Sequence, residues 1–151
     1  MKLIIASDPN GGIGNKSRLP WDKLEGDLAR FKMLTTGKIV VMGRLTWESL
    51  PKKPLPNRTN IVVTSKMVQS TDNFIIVNEI SELANYKDAW LIGGASLVNS
   101  CFHMIDEVHL SRTYSTYTCD TFIDLVELVK KFTCWFKEEH ADHTYEIWRR
   151  K

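Results

Sequence analysis

Short apolar runs recur along the chain and alternate with segments that favour helices. Six runs predict strands, at 2–6, 38–42, 59–64, 73–77, 88–92 and 108–113. Between them the pattern predicts helices at 22–36, 43–50, 80–86 and 96–103. Strands that alternate with helices predict an α/β fold around a mostly parallel sheet. Runs at 134–138 and 143–149 are close enough in sequence to pair antiparallel, so we expect about eight strands with an antiparallel C-terminal edge and about four flanking helices.

Composition narrows the class of protein further. The chain has 151 residues, 43% of them hydrophobic and 25% charged, which predicts one domain, residues 1–151, with one substantial core. A net charge of +2 is too small to argue for a nucleic-acid partner. The apolar start is too short for a signal peptide, and no later run approaches the length of a membrane span. We therefore expect a cytoplasmic monomer that binds small molecules.

Cysteines and histidines indicate no metal site. Cys101, Cys119 and Cys134 are widely spaced and form no CxxC pair, which favours free thiols in a reducing compartment. The four histidines have no third ligand at a metal spacing, so we interpret them as solvated or packed side chains and expect no metal.

One acid falls inside an apolar stripe. Asp22 and Glu25 resemble a capping box that begins the first predicted helix, and Gly37 ends it. The stripe of this helix consists of Leu24, Leu28, Phe31 and Leu34. Asp27 lies within the stripe, and no Lys or Arg on the stripe supplies a partner. Burying an unpaired carboxylate is costly, so we interpret Asp27 as aimed at a ligand. The alternative is that Asp27 only complements the helix N-terminus, where negative charge is favoured.

Three turns with anion-binding character follow predicted strands. They are Gly43-Arg44-Leu45-Thr46, Thr64-Ser65-Lys66 and Gly93-Gly94-Ala95-Ser96. Ligands of open α/β sheets bind outside the carboxyl ends of the strands, so the three turns together predict a ligand with several phosphates. The Arg, Lys and hydroxyl groups suit a 2′-phosphate, whereas NAD sites offer an acid to the ribose. We therefore expect NADPH.

A glycine-rich loop at 8–17 follows the first strand. It can act as a lid over a pocket or as an ordinary flexible turn. Gly12 and Gly14 do not complete a GxGxxG motif, and Pro20 blocks the helix that this motif requires.

Several motifs resemble those of the dihydrofolate reductase family, in that family's order and spacing as far as Phe122. They are Ile13-Gly14, Leu19-Pro20-Trp21 and the stretches 27–32, 41–49, 54–58, 92–95 and 120–122. The resemblance implies NADPH-dependent reduction of 7,8-dihydrofolate to 5,6,7,8-tetrahydrofolate, with hydride transfer to C6 and protonation at N5. It also implies a place in one-carbon and thymidylate metabolism.

The resemblance assigns roles to residues at the substrate. Catalytic residues are Asp27, which holds the pterin edge and assists protonation, Trp21, which positions a water, and Ser111, which steadies the carboxylate. Residues implied to bind the substrate are Ile4, Ile5, Asp27, Leu28, Phe31, Leu50, Lys53, Arg58, Ile92 and Ser111. Arg58 is the implied partner of the glutamate α-carboxylate.

The resemblance also implies a cofactor site. Its residues are Ala6, Ile13, Gly14, Asn15, Leu19, Gly43, Arg44, Leu45, Thr46, Thr64, Ser65, Lys66, Gly93, Gly94, Ala95, Ser96, Leu97 and Thr121. The Gly93-Gly94 peptide is expected to be cis. Ala95, Val98 and Ser111 depart from the commonest family pattern, and the first two bear on cofactor affinity.

Two other classes of function stay open on the sequence. One is a different pterin-like reductase on the same fold, which needs neither Asp27 nor Arg58. The other is a folate- or nucleotide-binding component without turnover.

Overall fold

A single eight-stranded sheet forms the centre of the computed structural model, which describes residues 1–66 and 73–151. Its strands are β1 (Lys2–Ser7), β3 (Ile39–Gly43), β4 (Thr59–Val63), β5 (Ile75–Val77), β6 (Trp90–Gly93), β7 (Glu107–Thr113), β9 (Phe132–Glu139) and β10 (His143–Arg150). Their spatial order is β5-β4-β3-β6-β1-β7-β10-β9. A second sheet pairs β2 (Gly12–Gly14) with β8 (Thr121–Phe122).

Strand directions confirm the predicted fold class. The six strands from β5 to β7 pair in parallel, whereas β10 runs antiparallel to both β7 and β9. The central runs are continuous apolar sequences because both faces of a parallel sheet are covered. The apolar runs therefore identified all eight strands of the main sheet.

The described parts of the chain contain four α-helices. They are α1 (Asp27–Thr35), α2 (Arg44–Ser49), α3 (Ala95–Cys101) and α4 (Leu125–Lys131), with 3-10 helices at Ile80–Asn85 and Phe102–Met104. Helix α4 and the small sheet were not predicted from the sequence. No helix in the described ranges is long and apolar enough to cross a membrane.

Helix α1 begins later than the sequence indicates. The capping box of Asp22 and Glu25 is wrong, because Gly26 has a φ of 76° and the helix starts at the next residue. The backbone amide of Glu25 instead donates to Oδ2 of Asp142 at 3.0 Å. Asp27 is therefore the first residue of α1, at the end that faces the sheet's antiparallel edge.

Two apolar clusters fill the faces of the main sheet. The larger contains Leu3, Leu91, Leu110, α3 residues and α4 residues. The smaller consists of Val40, Met42, Val62 and Trp90, with Leu34 of α1 packed against it. The smaller cluster lies on the same face of the sheet as α1, and this face carries the candidate site.

Candidate active site

The catalytic acid predicted from the sequence contacts the sheet through a serine. Ser111 of β7 donates its hydroxyl to Oδ1 of Asp27 at 2.5 Å. Asp27 lies in the first turn of α1, where negative charge is favoured, yet its carboxylate makes no capping hydrogen bond to its own helix. Within residues 1–66 and 73–151 no hydrogen bond reaches Oδ2 of Asp27. This oxygen can therefore accept a hydrogen bond from a ligand.

One expectation about Asp27 is wrong, because a cation does lie beside it. Nη1 of Arg30 is 3.6 Å from Oδ1 of Asp27, and the Arg30 side chain is only 12% exposed. The two residues are three positions apart, which places them on one helix face. The Asp27 side chain keeps 33% of its surface exposed, so it remains accessible to a ligand.

The apolar wall beside Asp27 is partly as predicted. Ile4, Leu50 and Ile92 pack together against the smaller cluster, on the α1 face of the sheet. Ile5 packs against the larger cluster on the opposite face, because successive strand residues point to opposite sides. Ile5, which the resemblance implies as a substrate-binding residue, therefore packs on the sheet face opposite Ile4.

The predicted helix stripe is also wrong in part. Leu24 is buried but precedes α1, whereas Leu28 lies on α1 and is 69% exposed. Phe31 and Leu34 are half-buried. Helix α1 therefore presents Leu28 to solvent rather than lying flat on the core.

A guanidinium lies at the other end of α1. Arg58 donates from Nη1 to Oγ1 of Thr35 at 3.0 Å and from Nε to the carbonyl of Pro56 at 2.9 Å. Its guanidinium lies 5.8 Å from the ring of Phe31. Burial lowers the pKa of Arg58 from its ordinary value, though the group stays a cation. Lys53, predicted to lie nearby, is exposed.

The three anion-binding turns meet at one edge of the sheet, as predicted. They follow β3, β4 and β6, which are parallel neighbours in the sheet. A Cβ atom added at Gly43 would lie 3.8 Å from the amide nitrogen of Gly94, so the first and third turns are in close contact. Gly93 has a φ of 130°, which favours glycine, and the Gly93-Gly94 peptide is cis as expected. Thr46 extends its hydroxyl toward both glycines.

Cationic and hydroxyl groups border this edge. Nη1 of Arg44 donates to Oε1 of Glu48 at 2.7 Å, one helical turn further along α2. Oγ1 of Thr64 accepts from the amide of Lys66 at 3.1 Å, and Ser65 and Lys66 are exposed. Thr64 itself is buried. Groups of this kind fit a phosphorylated nucleotide, because phosphate oxygens accept charge-assisted hydrogen bonds from N–H and O–H donors.

The other predicted cofactor residues differ in exposure. Leu19, Leu45 and Ser96 are exposed, Ala6, Ile13, Gly14, Asn15, Ala95 and Thr121 are half-buried, and Leu97 is buried. Val98, where the family often has an aromatic residue, is buried in the larger cluster.

The glycine-rich loop is anchored by an acid that the sequence analysis did not single out. Asp8, 1% exposed, accepts from the amides of Asn10 and Gly12 at 2.9 and 2.8 Å and from the amide of Tyr117 at 3.1 Å. Trp21 packs edge-on to the Tyr117 ring at 5.6 Å. The Asp8-Pro9-Asn10 sequence is typical of a turn in which an Asp side chain binds backbone amides, which was the available signal.

A second set of hydrogen bonds holds the glycine-rich loop at and after β2. Asp120 donates its amide to the carbonyl of Gly14 at 2.9 Å, and its Oδ2 accepts from the amide of Lys16 at 2.8 Å. The latter hydrogen bond is the main cause that lowers the pKa of Asp120. The loop therefore lies beside β1 with both of its halves held by the segment that follows β7.

The fold and these groups are typical of an enzyme of the reductase class, with an edge suited to a nucleotide and a partly exposed carboxylate on one α/β sheet. The sequence profile described as dihydrofolate reductase matches residues 1–149. The chain belongs to the dihydrofolate reductase family.

Relatives support this assignment over the whole chain. Dihydrofolate reductase type 8 of Escherichia coli is 41% identical over 163 aligned positions, covering 100% of this chain and 96% of the relative. Dihydrofolate reductase of Bacillus subtilis is 35% identical, covering 80% of this chain and 73% of the relative. A solved structure of the Enterococcus faecalis enzyme, complexed with NADP(H) and RAB-propyl, superposes with a TM-score of 0.86 at 28% identity, covering 99% of this chain and 95% of that one.

Proposed function

We propose that this protein reduces 7,8-dihydrofolate to 5,6,7,8-tetrahydrofolate with NADPH. One observation carries the proposal. Along α1 the cleft presents a carboxylate at Asp27, an aromatic ring at Phe31 and a guanidinium at Arg58 beside Thr35. Asp27 and Thr35 are eight residues apart, about 12 Å along a helix. Dihydrofolate matches this order, since it has a polar pterin edge, an aromatic ring and a glutamate.

Asp27 is the proposed partner of the pterin. Its Oδ2 accepts no hydrogen bond from the described residues, and an amidine-like edge can bind a carboxylate through two charge-assisted hydrogen bonds. These bonds compensate the cost of partly burying the carboxylate. Ser111 fixes the carboxylate through Oδ1, Trp21 positions a water near it, and together they favour protonation at N5 of the pterin.

The rest of the substrate lies along α1 in this proposal. Ile4, Leu50 and Ile92 contact the pterin and aminobenzoyl groups from the sheet side, and Leu28 and Phe31 contact them from the helix. Arg58 binds the α-carboxylate, because its guanidinium is already oriented by Thr35 and Pro56. Lys53 lies in the exposed segment before Arg58 and reaches a longer glutamate tail.

The cofactor lies across the carboxyl ends of β3, β4 and β6. When bound, NADPH supplies the hydride that C6 accepts. Arg44, Thr64, Ser65 and Lys66 bind the 2′-phosphate, and the backbone of Gly93 and Gly94 allows close approach of the pyrophosphate. The loop that follows Gly12 covers the nicotinamide and excludes water.

We further propose that residues 1–151 work as one domain and as a monomer, without nucleic acid, in the cytoplasm. All strands in the described ranges except β2 and β8 join one sheet, the net charge is only +2, and the three cysteines are free.

A steady-state assay with purified protein tests the proposal. We expect NADPH absorbance to fall only when 7,8-dihydrofolate is present, with tetrahydrofolate formed in equal amount. NADPH binding without turnover would indicate the binding component, and turnover of another pterin in place of dihydrofolate would indicate a different reductase.

A further inference from the structure

Arg30 has no role in the substrate and cofactor contacts proposed above. The central carbon of its guanidinium lies over the ring of Tyr145 on β10, 4.0 Å from the ring centroid. Nη1 approaches Nε2 of His143 at 3.4 Å, and Nη2 approaches Nε2 of His140 at 3.1 Å. With 12% of its side chain exposed, Arg30 is fixed by groups from the far end of the chain.

The histidines around Arg30 form an ordered pair. Their rings stack at 4.8 Å with an interplanar angle of 6°. Nδ1 of His143 lies 2.7 Å from Oδ1 of Asp142, so it donates there and leaves Nε2 as an acceptor for Arg30. This hydrogen bond is the main cause that lowers the pKa of Asp142. The fully buried His143 therefore helps to orient the guanidinium.

Arg30 also contacts Ser111. Nη1 donates to Oγ of Ser111 at 3.3 Å, and the same hydroxyl donates to Oδ1 of Asp27 at 2.5 Å. Because Arg30 takes a lone pair of this oxygen, the Ser111 hydroxyl proton is directed toward the carboxylate. Arg30 thus acts on Asp27 twice, by its charge at 3.6 Å and through Ser111.

We propose that Arg30 is a positioning residue that favours the ionised form of Asp27 and thereby sets the pH range of turnover. The inference rests on the proposed dihydrofolate reduction. A cation beside a carboxylate favours the charged form, and it opposes protonation of the adjacent pterin. Activity therefore declines at a lower pH than it would without Arg30.

Other ionisable groups face Arg30 or its partners. They are Asp27 on α1, Tyr145 and His143 on β10, His140 and Asp142 in the β9–β10 turn, Glu138 on β9, and, through Tyr145, His109 and Glu107 on β7. Oε1 of Glu138 lies 2.8 Å from Nε2 of His140, the atom that Nη2 of Arg30 also approaches, and Oδ1 of Asp142 lies 2.7 Å from Nδ1 of His143. The carboxylate that lies next to the guanidinium itself is Asp27. No three metal-ligating side chains in the described ranges are close enough to hold an ion, so the histidine pair is not a metal centre.

The test compares Arg30→Leu with Arg30→Lys and with Lys87→Leu, which removes the same charge from an exposed turn far along the chain. We expect the alkaline decline of kcat in Arg30→Leu to move about half a pH unit higher, and further at low salt. Arg30→Lys restores most of the original profile, and Lys87→Leu keeps it. KM for NADPH stays unchanged, because Arg30 is remote from the nucleotide edge.

A second measurement needs no substrate. In ligand-free protein with ¹³C-labelled Asp, we expect the pH midpoint of the Asp27 carboxyl signal to rise in Arg30→Leu and to stay in place in Lys87→Leu. Unmoved midpoints in both measurements, or equal shifts in Lys87→Leu, would overturn the inference. Absence of turnover in the unsubstituted protein would instead reject the proposed function, and the carboxyl signal would still decide the role of Arg30.

Discussion

At the scale of single residues, Asp27 carries most of the chemistry. Asp27→Asn keeps the side-chain size and removes the charge, so we expect turnover near neutral pH to fall by about a hundredfold or more. The loss shrinks in acid, because solvent then protonates the substrate. Measurement of kcat across pH checks this, with the exposed Asp22→Asn as control. An Asp27→Asn enzyme with unchanged kcat at every pH would contradict the assignment.

Arg44 tests how the cofactor phosphate is recognised. Arg44→Leu removes a guanidinium that α2 holds against Glu48 at 2.7 Å. We expect KM for NADPH to rise about tenfold or more and KM for NADH to change little, because a charged hydrogen bond to phosphate contributes about 1.5–3 kcal/mol. Equal losses for the two cofactors would show that the 2′-phosphate is bound elsewhere. Glu48→Gln, which keeps the cation, serves as the matched control.

Residue-level prediction from the sequence succeeded where the signal was local. The polar position of Asp27 and the turns at Gly43 and Gly93 could be recognised from neighbouring residues. The ion pair with Arg30 was missed although its spacing of three residues was visible in the sequence. The contacts of Tyr145 and His143 that orient the guanidinium could not be predicted, because these residues lie far along the chain. The exposed Leu28 was mispredicted because a helix that borders a cleft has the same period as one that lies on a core.

At the scale of elements, the loop and the small sheet depend on close backbone contact. A Cβ atom at Gly12 would lie 2.3 Å from Sγ and 2.8 Å from Cβ of Cys119. We expect Gly12→Ala to destabilise the protein by about 1–3 kcal/mol, a fall in Tm of about 2–4 °C per kcal/mol. Thermal unfolding checks the value.

Two further variants control this prediction. Gly14→Ala finds its nearest neighbour, Cβ of Thr121, at an ordinary 3.5 Å, so its Tm should change little. Cys119→Gly in the Gly12→Ala background removes both clashing atoms and should restore part of the loss. Equal effects of the two alanine substitutions would show that the contact with Cys119 is not the cause.

Elements that were missed are short or begin at unusual backbone angles. Strand β8 has two residues, too few for a periodic pattern, and exists because β2 pairs with it. Helix α4 is capped by Asp124, whose side chain accepts from the amide of Glu127 at 3.1 Å, but its seven residues include valines that also favour strands. The start of α1 was misplaced because the left-handed Gly26 cannot be read from composition alone.

At the scale of the whole molecule, the sheet was the most predictable part. Continuous apolar runs identify strands that are buried on both faces. Ligands bind at the carboxyl ends of parallel strands, and this rule correctly predicted that three turns far apart in sequence lie at one edge of the sheet. The spatial order of the strands was not predicted, because the sequence alone does not specify which parallel strands are neighbours.

Stability of the whole fold should depend on pH through His109. Burial lowers the pKa of His109 from its ordinary 6.5, although a hydrogen bond to Glu107 at 2.8 Å opposes this. Below pH 6.5 the unfolded chain therefore binds the proton more readily than the folded protein, so stability falls as pH falls through this window. We expect Tm to decline less steeply below pH 6.5 in His109→Gln than in the unsubstituted protein. Exposed His103→Gln should keep the original slope, and an unchanged slope in His109→Gln would reject the assignment.

The transfer of hydrogen from cofactor to substrate tests the central claim most directly. The protein is incubated with 7,8-dihydrofolate and NADPH deuterated at both C4 positions of the nicotinamide, and the product is analysed by mass spectrometry and NMR. We expect tetrahydrofolate with a single deuterium at C6, formed by the unsubstituted protein and much more slowly by Asp27→Asn near neutral pH. Oxidation of the cofactor without deuterium at C6, or equal rates for the two proteins, would contradict it.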